Sequence, residues 1–104
     1  MTARERYDEL VDDLLARNDD CEASQMKGLP CIKHGGKMVA GFSASADEMA
    51  FKLPNEAARE EALALAGAHL FDPSGKGRPF KEWAAVPSAH AAQWPRLAEA
   101  ALGS

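Results

Sequence analysis

Apolar and polar positions along this chain follow two different periods, and the change of period predicts which segments are helices and which are strands. In residues 4–18 the apolar positions recur at the three- and four-residue spacing of an amphipathic helix: Tyr7, Leu10, Val11, Leu14 and Leu15. Thr2 is a suitable N-cap for this helix, and Glu5, three residues later, completes a capping box. The chain therefore predicts an N-terminal helix that ends near Asn18.

A group of short strands is predicted after this helix. Residues 26–33 and 37–43 flank Gly35 and Gly36, a pair typical of a two-residue hairpin turn in which both residues have positive φ. Residues 48–53 predict a third strand. Alternation places Met38, Ala40 and Phe42 on one face of the second strand, and Met49, Phe51 and Leu53 on one face of the third. Because Pro30 cannot donate a ladder hydrogen bond, it is expected on a sheet edge or at a bulge.

The second half of the chain predicts two more helices and one more strand. Asn55 is the expected N-cap of a helix over residues 56–66, and Gly67 is its expected end. Residues 69–80 read as a long loop with room for a short strand at residues 69–72, and residues 81–86 read as the last strand. The final helix follows Ser88, with these residues on its apolar face: Trp94, Leu97, Ala98, Ala101 and Leu102.

These elements give one α+β domain over residues 1–104. Their order is α-β-β-β-α-β-α, and the alternation predicts an antiparallel sheet with the terminal helices packed on one face. A chain of 104 residues is close to the commonest domain size and can build one hydrophobic core.

Composition excludes several classes of protein. The longest apolar runs are far too short to cross a bilayer, and the first residues lack the apolar core of a secretory signal. Two cysteines, Cys21 and Cys31, are too few for a disulfide scaffold. We therefore expect a cytoplasmic protein with reduced thiols, no membrane association and no bound metal or cofactor.

The charge is unevenly distributed. The net charge is −4, and residues 1–25 carry three basic and eight acidic side chains, whereas residues 26–81 carry eight basic and six acidic ones. Strong non-specific binding to nucleic acid requires a surplus of lysine and arginine, so the net charge disfavours it. A local basic surface in the middle of the chain remains compatible with the sequence.

Motifs for catalysis are absent or incomplete. Residues 74–79, SGKGRP, resemble a phosphate-binding loop, but Leu70 and Gly77 stand where that loop requires glycine and a hydroxyl side chain. Cys31 could act as a nucleophile only with a base within hydrogen-bonding distance, and the sequence does not show whether His34, His69 or His90 meets it. No pair of cysteines or histidines has the spacing of a zinc site. The residues therefore favour a protein that is not an enzyme.

The segment over residues 76–83 is the best candidate for binding, because aromatic and basic residues are interleaved there. The candidate site residues are Lys76, Arg78, Lys81 and Trp83. Our first hypothesis is a protein-interaction or regulatory module that binds a protein partner or a second copy of itself. The alternative is a weak DNA-binding or other nucleic-acid-binding protein that uses this segment, together with Lys33 and Lys37.

Three short motifs resemble those of the TfoX N-terminal-domain-like and YjbR-like (MmcQ-like) family of small bacterial proteins. They are the hairpin Lys33, Gly36, Lys37, Met38, Val39, Ala40 and Gly41; the strand Phe51, Lys52 and Leu53; and residues 77–83, GRPFKEW. The resemblance implies the same order of helices and strands, and a role linked to competence regulation or DNA binding. It brings no catalytic residues. Residues 26–30 depart from it, because that family has a glycine- and aromatic-rich strand there.

Overall fold

The computed structural model of the protein describes residues 2–26, 28–71 and 81–102, and shows an α+β fold as the sequence predicts. The helices are α1 (Ala3–Arg17), α2 (Glu56–Leu63) and α3 (Trp94–Leu102), and a 3-10 helix, Ser88–Gln93, leads into α3. The strands are β1 (Cys21–Met26), β2 (Leu29–His34), β3 (Lys37–Ser43), β4 (Glu48–Lys52), β5 (His69–Leu70) and β6 (Trp83–Pro87). They form one antiparallel sheet in the order β1-β2-β3-β4-β6-β5.

Local signals at the helix ends are confirmed. The Thr2 hydroxyl accepts a hydrogen bond from the Glu5 N–H, and the Glu5 carboxylate accepts one from the Thr2 N–H, which completes the capping box. Asn55 caps α2 by accepting a hydrogen bond from the N–H of Ala58. Helix α2 ends at Leu63, earlier than the predicted end at residue 66. Tight turns follow Leu63 and lead into Gly67, which has φ +84°.

All three helices pack on the same face of the sheet. The ring of Phe42, on β3, stacks on Tyr7 of α1 at 5.2 Å between centroids and meets Trp94 of α3 edge-on at 6.2 Å. The Trp94 indole N–H donates to the carbonyl of Val86 on β6 at 3.3 Å, which ties α3 to a second strand. Ala62 of α2 is fully buried in the same core. The terminal helices therefore lie on one face, as predicted.

The strand β1 was not predicted. The sequence predicts no element over residues 21–25, and residue 26 was expected to begin the next strand, whereas Met26 ends β1 and Leu29 begins β2. All six residues of β1 pair with β2, from Cys21 opposite His34 to Met26 opposite Leu29. Apolar alternation in β1 rests on the small side chains of Cys21 and Ala23, which is too weak a pattern to predict a strand.

The predicted face of Met38 is wrong. Ile32 pairs with Ala40 but Lys33 pairs with Met38, so Val39 is an extra residue that forms a bulge in β3. The bulge places Met38 opposite Lys33, on the face away from the helices, while Ala40 and Phe42 face the core. The predicted position of Pro30, on a sheet edge or at a bulge, is also wrong. Pro30 lies in β2, a strand with a neighbouring strand on each side, and the bulge lies elsewhere.

Replacement of Trp94 by phenylalanine tests the aromatic core. Trp94 is 1% exposed, so the smaller ring leaves a cavity, and the buried carbonyl of Val86 loses its donor. We expect Trp94→Phe to lower the free energy of unfolding by about 2–3 kcal/mol in urea denaturation. Leu15→Ala is the control, because Leu15 is 37% exposed and its truncation should cost less than about 0.5 kcal/mol. Equal effects of the two substitutions would contradict this account of the core.

Candidate binding site at one end of the sheet

Four lysines gather at one end of the sheet. Lys33 lies near the end of β2, Lys37 begins β3, Lys52 ends β4 and Lys81 precedes β6 by two residues. These four strands are consecutive neighbours in the sheet, and antiparallel pairing brings the named ends together. At about 4.8 Å between strands, the four lysines span about 15 Å. We call these four residues, together with His34, the basic end.

None of these lysines forms an ion pair with another residue of the described part of the chain. The ion pairs found there use Arg4, Arg17, Arg96 and His69 as the basic partners. Arg59 donates instead to the carbonyl of Leu53 at 3.0 Å. Within the described residues the lysines of the basic end thus make no ion pair, although two acidic residues lie near them: Glu22 is opposite Lys33, and the carbonyl of Asp20 accepts a hydrogen bond from the N–H of Gly35 at 3.0 Å.

A pocket of about 260 Å³ opens at the basic end, between the β2–β3 hairpin and the end of α3. His34, Lys37 and Lys52 line it together with three apolar residues, Val39, Pro54 and Ala101, and none of the described acidic residues lines it. Lysine is a compact point charge that suits carboxylate and phosphate oxygens. The pocket therefore has the size and charge to take one anionic group.

Trp83, a predicted site residue, lies beside the basic end on the face of the sheet without helices. It pairs with Lys52 in the β4–β6 register, and its half-buried indole contacts the Phe71 ring at 5.9 Å between centroids. Lys81 is exposed, as a binding residue should be. The other two predicted site residues, Lys76 and Arg78, lie outside the described residues.

The structure adds Lys52 and His34 to the predicted set. The sequence predicts Lys52 only as part of a strand motif, although antiparallel pairing of that strand with the hairpin already places its last residue, Lys52, beside the hairpin lysines. The pairing of Lys52 with Trp83 depends on β6 lying next to β4, which the local sequence pattern does not specify.

Cys31 has the environment of a structural thiol. It is 0% exposed, and burial raises its pKa, with the Ser24 hydroxyl as a neighbour across the β1–β2 ladder. Burial also raises the pKa of Cys21. None of the three histidines, all of which the structure describes, hydrogen-bonds to Cys31. His90, for example, contacts the carbonyl of Ala66 at 2.8 Å.

His69 forms a polar contact across the sheet at the opposite end from the lysines. Its Nε2 lies 3.0 Å from a carboxylate oxygen of Glu48, and its Nδ1 lies 2.9 Å from the carbonyl of Leu70. Both neighbours accept hydrogen bonds, so the arrangement favours a doubly protonated ring. The Leu70 carbonyl has the largest effect and raises the pKa of His69; burial opposes it, and the hydrogen bond and charge of Glu48 add to the increase, so the pKa is raised overall.

Neither a metal site nor a membrane-spanning helix occurs in the described ranges. No three side chains of histidine, cysteine, aspartate or glutamate there are grouped as metal ligands. The helices among those residues lack the length and apolar character needed to cross a bilayer.

Comparison of the chain with known protein families, curated proteins and solved structures finds no match. The resemblance to the TfoX-like and YjbR-like family thus stays a prediction from the short motifs.

Thiol alkylation tests the environment of Cys31. A raised pKa and full burial both slow attack on iodoacetamide, which requires an accessible thiolate. We expect negligible labelling of Cys31 in the native protein at neutral pH, measured by mass spectrometry of tryptic peptides. The control is the protein unfolded in guanidinium chloride, in which both cysteines should react. Rapid labelling of native Cys31 would indicate an activated nucleophile instead.

The pH dependence of unfolding tests the contact between His69 and Glu48. Because folding raises the pKa of His69, the contact stabilises the protein fully below the ordinary histidine pKa near 6.5. This stabilisation is lost as the pH rises through the raised value. His69 is 53% exposed in its side chain, so we expect an effect below about 1 kcal/mol.

Urea denaturation of wild type, His69→Gln and Glu48→Gln between about pH 6 and pH 9 measures this effect. The stability difference between wild type and His69→Gln should shrink as the pH rises, and Glu48→Gln should weaken the same dependence. A difference that grows with pH would contradict the contact.

Proposed function

We propose that this protein is a non-enzymatic binding module that holds an acidic segment of a protein partner at the basic end. The observation that carries the proposal is that all four described lysines gather there without ion pairs, next to a pocket without acidic lining. A cytoplasmic, regulatory role is consistent with such a module.

Charge separation in the molecule favours a short acidic segment over a long polyanion. The acidic residues of α1 are exposed: Glu5, Asp8, Glu9, Asp12 and Asp13. Because a long duplex extends over more of a small protein than a segment of a few residues does, an acidic surface elsewhere on the molecule repels the duplex more strongly. The net charge of −4 acts in the same direction.

Single-stranded nucleic acid is the second candidate, and one observation favours it. The half-buried indole of Trp83 stands beside Lys52 on the face of the sheet without helices, and a base can stack on such a ring while lysines hold the phosphates. Stacking on Trp83 is the contact that separates this candidate from the first.

We also propose that the chain belongs with the TfoX-like and YjbR-like proteins. The hairpin at Gly35 and Gly36, the strand that contains Lys52, and the following helix, strand and terminal helix support this assignment through their order. The assignment is compatible with either binding partner.

Titration with two probes tests the proposed function. The first probe is a synthetic peptide of about ten residues rich in glutamate, and the second is an oligothymidine of similar length. We expect the protein to bind the peptide more tightly, with an affinity that falls as salt is added. The double variant Lys37→Gln with Lys52→Gln should bind about tenfold more weakly, since two exposed charge contacts are together worth about 1.4 kcal/mol.

Arg6→Gln is the matched control, because Arg6 is an exposed cation on α1, away from the basic end, with no ion pair to another described residue. It should leave binding unchanged. Tighter binding of the oligothymidine, with a loss on Trp83→Ala, would favour the second candidate. Binding of neither probe, or equal losses in the control and the double variant, would overturn the basic end as a binding site.

A further inference from the structure

The outer edge of β1 presents backbone groups that are free to pair. Pro30 has no N–H, so its pair with Gln25 cannot be one in which both residues exchange hydrogen bonds. Alternation along an antiparallel ladder then directs the N–H and C=O groups of Cys21, Ala23 and Gln25 away from β2. Of these, the Cys21 N–H is bonded to the carbonyl of Asn18 at 3.3 Å, and the outward groups of Ala23 and Gln25 make no hydrogen bond to another described residue.

This edge lacks the usual protection. Natural sheet edges are shielded by proline, lysine, bulges or a very short strand. β1 is six residues long, has a continuous register with β2, and contains no proline, no lysine and one charged residue, Glu22. The opposite edge, β5, has two residues. Glu22, Ala23 and Gln25 are all exposed.

The helix side of the edge is open as well. A groove of about 320 Å³ separates α1 from the β1–β2 pair, and Tyr7 and Val11 line its helix side while Ala23 and Gln25 line its strand side. Side chains of an added strand that point to this face have room beside the small Ala23 side chain.

We propose that β1 pairs antiparallel with β1 of a second copy, which joins two sheets around a twofold axis at Ala23. This inference goes beyond the proposed function, since it concerns a different surface. In this register Ala23 faces Ala23, Cys21 faces Gln25 and Glu22 faces Ser24 of the other copy. About four backbone hydrogen bonds form, two between the Ala23 residues and one from each Gln25 N–H to a Cys21 carbonyl.

The edge is self-complementary, which is the reason for choosing a second copy as the occupant. Twofold pairing keeps the two Glu22 carboxylates apart and places each one opposite a serine hydroxyl, which can donate to it. An isologous pair of this kind is the commonest symmetry among homo-oligomers. Because the contact is one strand wide, the buried area falls below about 1,200 Å², and the dimer is weak.

Sedimentation velocity of the full chain from about 10 μM to about 1 mM tests the dimer. We expect wild type to shift from monomer to dimer over this range. Ala23→Pro should stay monomeric, because it removes an outward N–H and leaves the β1–β2 ladder intact. Ala23→Lys should also stay monomeric through charge repulsion at the axis, and Ala92→Lys, the same change at an exposed alanine on the 3-10 helix, should dimerise like wild type.

Amide hydrogen exchange gives a readout at the edge itself. The Ala23 and Gln25 amides should exchange more slowly at high protein concentration, in proportion to the dimer fraction, while the amide of Asp13 on α1 keeps its rate. Wild type that stays monomeric at about 1 mM would overturn the proposal. A dimer that persists in Ala23→Pro, or that leaves the Ala23 and Gln25 exchange rates unchanged, would overturn it as well.

Discussion

The contact of Phe42 with Tyr7 and Trp94 is the interaction on which the architecture depends. One ring on β3 holds both terminal helices, so the first and last elements of the chain reach the sheet at the same place. Phe42 lies near the end of β3 that is distant from Lys37. This aromatic contact therefore lies toward one end of the sheet. The β2–β3 hairpin and its lysines lie at the other end, and among the described helices α3 contributes a lining residue, Ala101, to the pocket there.

Arginines and lysines occupy different elements of this fold, and the difference decides which of them form ion pairs. Arg17 pairs with Asp13 on its own helix and with Glu99 on α3, and Arg96 pairs with Glu61 on α2, so arginines join the helices to one another. The planar guanidinium suits such fixed pairs with carboxylates. The described lysines stand on strand ends, where no helix brings a carboxylate to them. Separation of the charges is thus a consequence of which elements carry them, and it leaves the basic end available for a ligand.

Sequence reasoning predicted the elements whose signals are local. The capping box at Thr2 and Glu5, the Asn55 cap and the Gly35–Gly36 turn each involve residues within a few positions of one another, and each is confirmed. The misses depend on partners distant in the chain. The bulge at Val39 is defined by the register against β2. Strand β1 is defined by its hydrogen-bonded pairing with β2, because its own alternation rests on two small side chains, those of Cys21 and Ala23.

The candidate site was predictable to a similar extent. Lys81 and Trp83 could be selected from composition alone, and Lys33 and Lys37 from their places around the hairpin turn. That Lys81 and Trp83 lie beside Lys52 requires knowing that β6 lies between β4 and β5, because only this order sets Trp83 opposite Lys52. Sheet order is a tertiary property, so no spacing in the sequence contains it.

The same sheet order also explains why β1 is the exposed edge. Strand β6 lies between β4 and β5, so β4 has a hydrogen-bonded strand on each side. The two-residue strand β5 forms that edge of the sheet. Among the described residues, no later strand of the chain pairs with β1, the first strand of the meander from β1 to β4. A polar sequence keeps β1 compatible with water, but it does not pair the backbone groups of Ala23 and Gln25. Within the described residues, topology thus leaves the lysines at the strand ends without ion pairs and the outward backbone groups of Ala23 and Gln25 without hydrogen bonds.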